Sequence, residues 1–100
     1  MVDVEFADKT LEWIETDQAA AKTKLPIAVI SACRKKLAFI RNAPDERTLR
    51  NWKSLYFKKL QGEREGQSSI RLNDQWRMVF LMDNATSPPK LTVLAVEDYH

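Results

Sequence analysis

The spacing of apolar residues changes once along this chain, and this change limits the folds that it can adopt. Before Gly62 the clearest apolar residues recur every three or four positions, which is typical of amphipathic helices. After Gly62 they alternate with polar residues or form short runs, which is typical of β-strands. Helices followed by strands within 100 residues predict one α+β domain over residues 1–100, with two N-terminal helices packed on one face of a small antiparallel sheet.

The segments before Gly62 can be placed individually. The alternating sequence Val2–Phe6 predicts a short edge strand, and apolar spacing predicts a short helix from Asp8 to about Thr16, followed by a polar connector. A second helix is expected from Lys24–Pro26 to about Asn42. Its apolar stripe is formed by Ile30, Cys33, Leu37 and Ile40, with Val29 beside it. Asp45-Glu46-Arg47 can open one further helical turn that ends near Trp52.

Two strands after Gly62, Ser68–Leu72 and Trp76–Met82, are joined by Asn73-Asp74-Gln75. A three-residue loop pairs Arg71 with Arg77 and keeps the apolar residues on one face, whereas a two-residue loop mixes the faces. We therefore expect the three-residue loop, with both arginines side by side on one open face of the sheet. The apolar run Leu91–Glu97 predicts a final, central strand that is covered on both faces.

Composition excludes several classes of protein. The single cysteine, Cys33, cannot form an internal disulfide and is expected to be a small core residue. No Cys/His cluster offers a metal site. No apolar run approaches the roughly 20 residues that cross a bilayer, and no basic-then-apolar leader is present, so we expect a cytoplasmic protein with no membrane partner.

The formal net charge of +2 is unevenly distributed along the chain. Residues 1–20 carry a net charge of −5, residues 21–80 carry +9 and residues 81–100 carry −2. The central stretch can form a basic surface for a polyanion, although solvated charge with no partner remains the alternative.

Two segments contain residues that can do chemistry. Asp98-Tyr99-His100 places the only histidine beside a carboxylate and a phenol, which are groups able to transfer protons near neutral pH. A disordered tail is the alternative. The basic segment 58–67 contains two glycines but lacks the ending of a phosphate-binding loop, so the glycines by themselves indicate turns. Arg64 can converge with Arg71 and Arg77, whose guanidinium groups suit phosphate.

These motifs together resemble a known family. The pattern Leu60-x-Gly62-x-Arg64-x-Gly66-x-x-Ser69-Ile70-Arg71-x-Asn73-x-x-Trp76-Arg77, followed by the terminal tripeptide, is similar to that of HigB-type toxins of the RelE/ParE superfamily. The resemblance covers residues 55–100. It implies a RelE-like fold and a ribosome-dependent endoribonuclease that cuts mRNA in the A site by attack of a ribose 2′-OH, without a metal or a cofactor.

The resemblance also implies roles for individual residues. His100 would be an acid or base, with Asp98 as its orienting or second proton-transfer group, and Tyr99 would stack on a base or donate a proton. Arg77, Arg71 and Lys58 would stabilise the transition-state charge, while Arg64 and Lys59 would bind the RNA backbone. Some related toxins have histidine where this chain has Lys58, and lysine is a poor base at neutral pH unless its pKa is strongly lowered.

The partners implied by the resemblance are mRNA, the ribosome and a cognate helix-turn-helix antitoxin of the HigA type. The acidic first twenty residues and Trp13 can form an antitoxin-facing patch or a solvated helix face. Two other functions remain open, namely a non-enzymatic ParE-like toxin that inhibits gyrase and an RNA-binding module without catalysis. The terminal tripeptide favours the nuclease.

Overall fold

A computed structural model describes residues 2–98 of the protein. Within these residues, three α-helices and a five-stranded sheet form an α+β fold, as predicted. The helices are α1 (Ala19–Thr23), α2 (Ile27–Asn42) and α3 (Glu46–Asn51), and short 3-10 segments span Leu11–Glu15, Lys53–Leu55 and Gly62–Arg64. The strands are β1 (Asp3–Phe6), β2 (Lys58–Lys59), β3 (Ser68–Arg71), β4 (Trp76–Asp83) and β5 (Lys90–Asp98), in the sheet order β1-β5-β4-β3-β2.

The sheet is antiparallel except at one edge. β2, β3, β4 and β5 form three successive antiparallel pairs. β1 pairs in parallel with β5, with Val4 beside Leu91 and Phe6 beside Val93. The predicted antiparallel sheet is therefore confirmed for four of the five strands, and β1 adds one parallel pair at its edge. A parallel pair needs a long crossover, and here the helices and the other strands lie between the two paired segments.

The helix α2 confirms the sequence prediction closely. Pro26 is its N-cap residue and Asn42 its last residue, because proline suits a helix start and a following proline disfavours helical backbone at the preceding residue. The four residues of the predicted stripe are buried, and so is Val29 beside them. Val29, Cys33, Leu37 and Ile40 belong to the hydrophobic core. The predicted further turn is also present as α3, where the carboxylate of Asp45 accepts a hydrogen bond from the Thr48 amide at 3.0 Å.

The predicted helix from Asp8 to Thr16 is a 3-10 segment, Leu11–Glu15. Local side chains compete with α-helical bonding at both of its ends. The Asp8 carboxylate accepts a hydrogen bond from the Thr10 amide at 2.8 Å, and the Thr16 hydroxyl donates one to the Trp13 carbonyl at 2.7 Å. Leu11 and Ile14 are nevertheless buried as the apolar spacing predicts.

The polar connector predicted after this segment contains a helix instead. α1 includes three consecutive alanines, which have the highest helix propensity. A five-residue helix with only Ala19 buried produces no apolar stripe, which explains why periodicity missed it. It ends at Lys24, whose φ of 61° is left-handed.

The hydrophobic core lies between the helices and one face of the sheet. The helical side contributes Leu37 and Leu49, and the sheet contributes Met78, Phe80 and Val93, all with 0% exposure. The same cluster is extended by Ala43, Leu55 and Leu91. We call the opposite side of the sheet, which carries Arg71 and Arg77, the open face.

The final strand differs from its prediction in one respect. β5 lies between β1 and β4, so it is an interior strand as expected. Leu91 and Val93 are buried toward the core, but Thr92 and Leu94 are only half-buried. The expected coverage of both faces is therefore incomplete, because the helices cover one side of the sheet.

Candidate functional site

The open face contains a concavity of about 490 Å³. It lies at the β2–β3–β4 end of the sheet and includes the turn between β3 and β4. Its lining residues are Tyr56, Phe57, Lys58, Ser69, Ile70, Arg71, Asn73, Asp74 and Arg77. Three of the predicted site residues, all cationic, therefore line one cavity.

The hairpin register places the two arginines together. Arg71 lies directly opposite Arg77, and Ile70 lies opposite Met78, as the three-residue loop predicts. The side chain of Asn73 stabilises this turn, because its Oδ1 accepts hydrogen bonds from the amides of Gln75 and Trp76 at 2.9 and 2.8 Å. Since cross-strand partners project to the same side of a sheet, both arginines reach the open face.

Lys58 reaches the same cavity through the short strand β2, which the sequence did not predict as a strand. Lys58 is the partner of Ser69, and Ser69 is the partner of Val79 in the next strand. Lysine and the arginine pair therefore share one side of the sheet. The result is a dense cluster of positive charge.

Arg71 is held by three groups around the cavity. Its Nε donates a hydrogen bond to the Asn73 carbonyl at 3.1 Å, and its Nη2 forms an ion pair with the Asp74 carboxylate. Its guanidinium carbon also lies 4.9 Å from the centre of the Tyr56 ring. These contacts orient the guanidinium before any ligand binds, which lowers the entropic cost of binding.

Arg77 is half-buried in the sheet and lies directly opposite Glu97 on β5. The Glu97 carboxylate accepts two hydrogen bonds from the guanidinium of Arg64. The pKa of Glu97 is lowered, mainly by the hydrogen bond from Arg64 and further by the charges of Arg64 and Arg77. One carboxylate thus interacts with two of the predicted site arginines.

Arg64 is supplied by the loop between β2 and β3. Gly62 and Gly66 have φ values of 71° and 92°, a left-handed region that strains residues with a Cβ. The loop is closed by a hydrogen bond from the Leu60 amide to the Gln67 carbonyl at 2.9 Å. The hydrogen bond to Glu97 raises the pKa of Arg64. The ion pair also places the guanidinium of Arg64 beside the strand residue that lies opposite Arg77.

Two other predicted site residues belong to the opposite side of the sheet. Lys59 is the partner of Ser68, and successive strand residues alternate between faces, so Lys59 points away from Lys58. Asp98 is the partner of Trp76 at the end of β5 and does not line the cavity. Its carboxylate accepts a hydrogen bond from Nε2 of Gln75 at 3.0 Å. The predicted site residues Tyr99 and His100 lie outside the described residues.

The interaction of Glu97 with the arginines and the position of Tyr56 in the cavity were not predicted from the sequence. The position of Glu97 could have been predicted by pairing the last strand with the strand that contains Arg77, because residues on the same face of neighbouring strands lie side by side. Tyr56 has no comparable signal, because its position depends on how the chain turns between Leu55 and Lys58.

Other potential sites are limited within residues 2–98. Cys33 is buried, and burial raises the pKa of its thiol to about 12, which disfavours the thiolate. That part of the chain contains no group of three or more His, Cys, Asp or Glu side chains arranged to hold a metal ion. The same described stretch contains no helix that is long and apolar enough to cross a membrane.

Comparison with solved structures finds the same fold in several proteins. The YoeB/ParE toxin from Agrobacterium tumefaciens is 14% identical, with a TM-score of 0.54 over 98% of this chain and 99% of that chain. YafQ from E. coli strain BL21(DE3) is 13% identical, with a TM-score of 0.58 over 99% of this chain and 94% of that chain. The YoeB–YefM complex from Staphylococcus aureus provides a chain 14% identical, with a TM-score of 0.55 over 100% and 98%. At these identities the likeness shows the fold alone.

Comparison of sequences identifies the family. No curated protein matches this chain. The family model described as HigB-like toxin, RelE-like toxin of type II toxin–antitoxin system HigB, matches residues 4–91. The match includes Lys58, Arg64, Arg71 and Arg77 but ends before Asp98. This chain belongs to the HigB-like family of RelE-like toxins of type II toxin–antitoxin systems.

Proposed function

We propose that this toxin is a ribosome-dependent endoribonuclease that cleaves mRNA in the A site and thereby inhibits translation. The observation that carries the proposal is the convergence of Lys58, Arg71 and Arg77 on one cavity of the open face. Three cations around a single concavity suit the phosphate of a nucleic acid. The family supports a toxic function, and the cluster supports a phosphoryl-transfer reaction.

The proposed reaction is an internal transesterification of RNA. A base removes the proton from a ribose 2′-OH, and the oxygen attacks the adjacent phosphorus. The bond to the 5′-oxygen breaks, and an acid protonates this leaving group. The products are a 2′,3′-cyclic phosphate and a free 5′-OH. Negative charge on the phosphorane must be stabilised throughout, which is the role we assign to Arg77, Arg71 and Lys58.

The proton transfers are assigned to the C-terminal residues. His100 serves as an acid or base, because imidazole exchanges protons near neutral pH. Asp98 orients it or carries the second proton, and Tyr99 stacks on a base or donates a proton. Arg64 and Lys59 contact the RNA backbone, although the two lysines of β2 project to opposite sides of the sheet. Neither step in this proposal uses a metal or a cofactor.

A toxin of this type requires an antitoxin that restrains it. The similar fold in the Staphylococcus aureus structure supports a protein partner, since that chain belongs to a YoeB–YefM complex. We propose a cognate antitoxin of the HigA-like helix-turn-helix type. Cleavage of mRNA on ribosomes would place the activity in the cytoplasm.

Primer extension in a reconstituted translation system tests the nuclease proposal. Wild-type protein and His100→Ala are compared on one defined mRNA, with and without ribosomes. We expect cuts within codons that need ribosomes and are lost in His100→Ala. Arg50→Ala serves as a matched charge control, because Arg50 is an exposed arginine of α3 that does not line the cavity.

Three results would contradict this proposal. If His100→Ala still cuts the mRNA, His100 is not the acid or base, although the protein is still a nuclease. Growth arrest without any cut would favour the non-enzymatic ParE-like function, and supercoiling assays with gyrase would then follow. RNA binding without either effect would favour an RNA-binding module.

A further inference from the structure

Tyr56 is an aromatic residue that the fold leaves exposed. Tyr56 is 62% exposed. The neighbouring Phe57, by contrast, packs its ring edge-on against Phe80, with the ring centroids 5.6 Å apart. Phe57 therefore packs in the core, whereas the ring of Tyr56 does not. An exposed aromatic ring of this size is more informative than an exposed aliphatic side chain, because its faces are available for stacking.

The backbone at Tyr56 reinforces this orientation. Its φ and ψ are both 50°, in the left-handed region that bulky residues rarely occupy. The turn follows the 3-10 segment Lys53–Leu55, and the Tyr56 amide donates a hydrogen bond to the Lys53 carbonyl at 3.1 Å. Tyr56 thus has an unfavourable backbone conformation, and its ring is exposed in the cavity.

The ring of Tyr56 is directly connected to the cationic cluster. The guanidinium carbon of Arg71 lies 4.9 Å from the ring centroid, which is a cation–π distance. The same guanidinium is fixed by Asp74 and the Asn73 carbonyl. Phenol and guanidinium therefore form a preorganised pair of flat groups at the cavity, and both kinds of group stack on unpaired nucleobases.

The position of this pair beside Arg77 and Lys58 determines which ligand fits. Both cations and Tyr56 line the same concavity of about 490 Å³. The cations can bind a phosphate, while the ring offers a flat apolar surface next to it. Single-stranded RNA presents this combination of adjacent phosphate and unstacked base.

We propose that Tyr56, together with Arg71, forms a stacking site for one mRNA nucleobase next to the scissile phosphate. This inference rests on the proposed nuclease function and adds a substrate-positioning residue to it. Stacking holds the nucleotide so that its ribose and phosphate are aligned with the catalytic groups. It recognises the presence of a base and not its sequence, because every base has an aromatic face.

An abasic-site experiment tests the stacking site without depending on catalysis. Ribosome complexes are programmed with mRNAs whose A-site codon contains 2′-deoxynucleotides, which lack the attacking hydroxyl. Each codon position in turn carries an abasic nucleotide, and toxin binding is measured. For the wild type we expect one abasic position to weaken binding by roughly 5- to 150-fold, the range for loss of one stacked base.

The variants identify the stacking partner. Tyr56→Phe keeps the ring and should keep the abasic penalty at that position. Tyr56→Ala should weaken binding to the intact mRNA and abolish the additional abasic penalty. Trp13→Ala is the matched control, because Trp13 is also exposed and also contacts a cation, Lys22 at 5.1 Å, but does not line the cavity.

The outcomes separate this site from the proposed function. If Tyr56 only positions Arg71, Tyr56→Ala will weaken every complex equally and the abasic penalty will persist, which overturns the stacking site. Binding that is insensitive to abasic substitution at every position also overturns it. A parallel reaction with all-ribose mRNA reports the nuclease itself. Absence of cleavage by wild-type protein there would overturn the proposed function, whereas the abasic penalty, measured on mRNA that cannot be cleaved, tests the stacking site separately.

Discussion

Arg64 and Glu97 form a two-point ion pair that joins the loop after β2 to the end of the last strand. The second of its hydrogen bonds, from Nη2 of Arg64 to Oε2 of Glu97, measures 3.1 Å. The residues are 33 positions apart in the chain. Glu97 also lies opposite Arg77. The ion pair therefore holds the guanidinium of Arg64 at a fixed distance from Arg77.

This ion pair predicts a pH dependence of stability. The pKa of Glu97 is lowered in the folded protein, mainly by the hydrogen bond from Arg64. A lowered pKa contributes stability above the unfolded-state value, and this contribution is lost as the pH falls through the folded-state pKa. The stability difference between wild type and Glu97→Gln should therefore be greatest near neutral pH and shrink below the ordinary glutamate value of 4.5.

Urea unfolding over a pH series measures this difference. Glu63→Gln is a suitable control, since Glu63 is an exposed glutamate of the same loop. Solvent screens the pair, so the effect should be small and should decrease further at high salt. A difference between wild type and Glu97→Gln that stays constant from neutral to acidic pH would contradict the assignment.

The position of Arg77 in the cavity predicts a loss of catalysis when its side chain is removed. If Arg77 stabilises the phosphorane, Arg77→Ala should lower the cleavage rate by roughly 10²- to 10³-fold, as for removal of one transition-state donor. Arg77→Lys keeps the charge but loses the bidentate geometry, so its rate should lie between those of the wild type and Arg77→Ala. Single-turnover cleavage on ribosomes checks this order.

Arg50→Ala again provides the control for loss of an arginine. Thermal unfolding must accompany the kinetics, because Arg77 is half-buried and its removal also changes the sheet. Equal rates for Arg77→Ala and the wild type would exclude Arg77 from transition-state stabilisation.

The core predicts a large difference between two leucine substitutions. Leu37 is 0% exposed on α2, so Leu37→Ala should lower the free energy of unfolding by about 2–5 kcal/mol through lost burial and a residual cavity. Leu81 is 42% exposed on β4, so Leu81→Ala should cost less than about 1 kcal/mol. Urea denaturation at neutral pH compares them, and equal losses would contradict the assigned burial.

The thiol of Cys33 should resist alkylation in the folded protein. Burial removes access and raises the pKa to about 12, which keeps the thiolate fraction very small at pH 8. Iodoacetamide followed by mass spectrometry should therefore label the unfolded chain in guanidinium much faster than the native protein. Comparable labelling rates in the two states would show that the α2 stripe is not packed as described.

Local sequence patterns were sufficient for part of this fold. The stripe that contains Cys33 and Leu37 requires only helical spacing, and each of its residues faces the core because the helix itself sets their directions. The Arg71–Arg77 register follows from the alternation of adjacent strands, since a slip by one residue would expose the buried face. Both features depend on neighbours within a few positions or across one short turn.

Other features depended on contacts between distant segments. The sequence of β1 indicates a strand, but its parallel pairing with β5 depends on the path of the intervening chain. The candidate site divides in the same way: the cationic residues and the terminal tripeptide were recognisable as a pattern, whereas the opposite orientations of Lys58 and Lys59 required the pairing of β2.

The amino-acid sequence by itself determined the α+β class, the main helix, the central hairpin and the resemblance to HigB-type toxins, because periodicity and motif spacing are local properties. The tertiary structure decided which cations share a cavity, that Glu97 binds Arg64, and that the Tyr56 ring lies against Arg71. These relationships arise when strands pair and loops close, so their geometry depends on backbone directions that no single segment specifies.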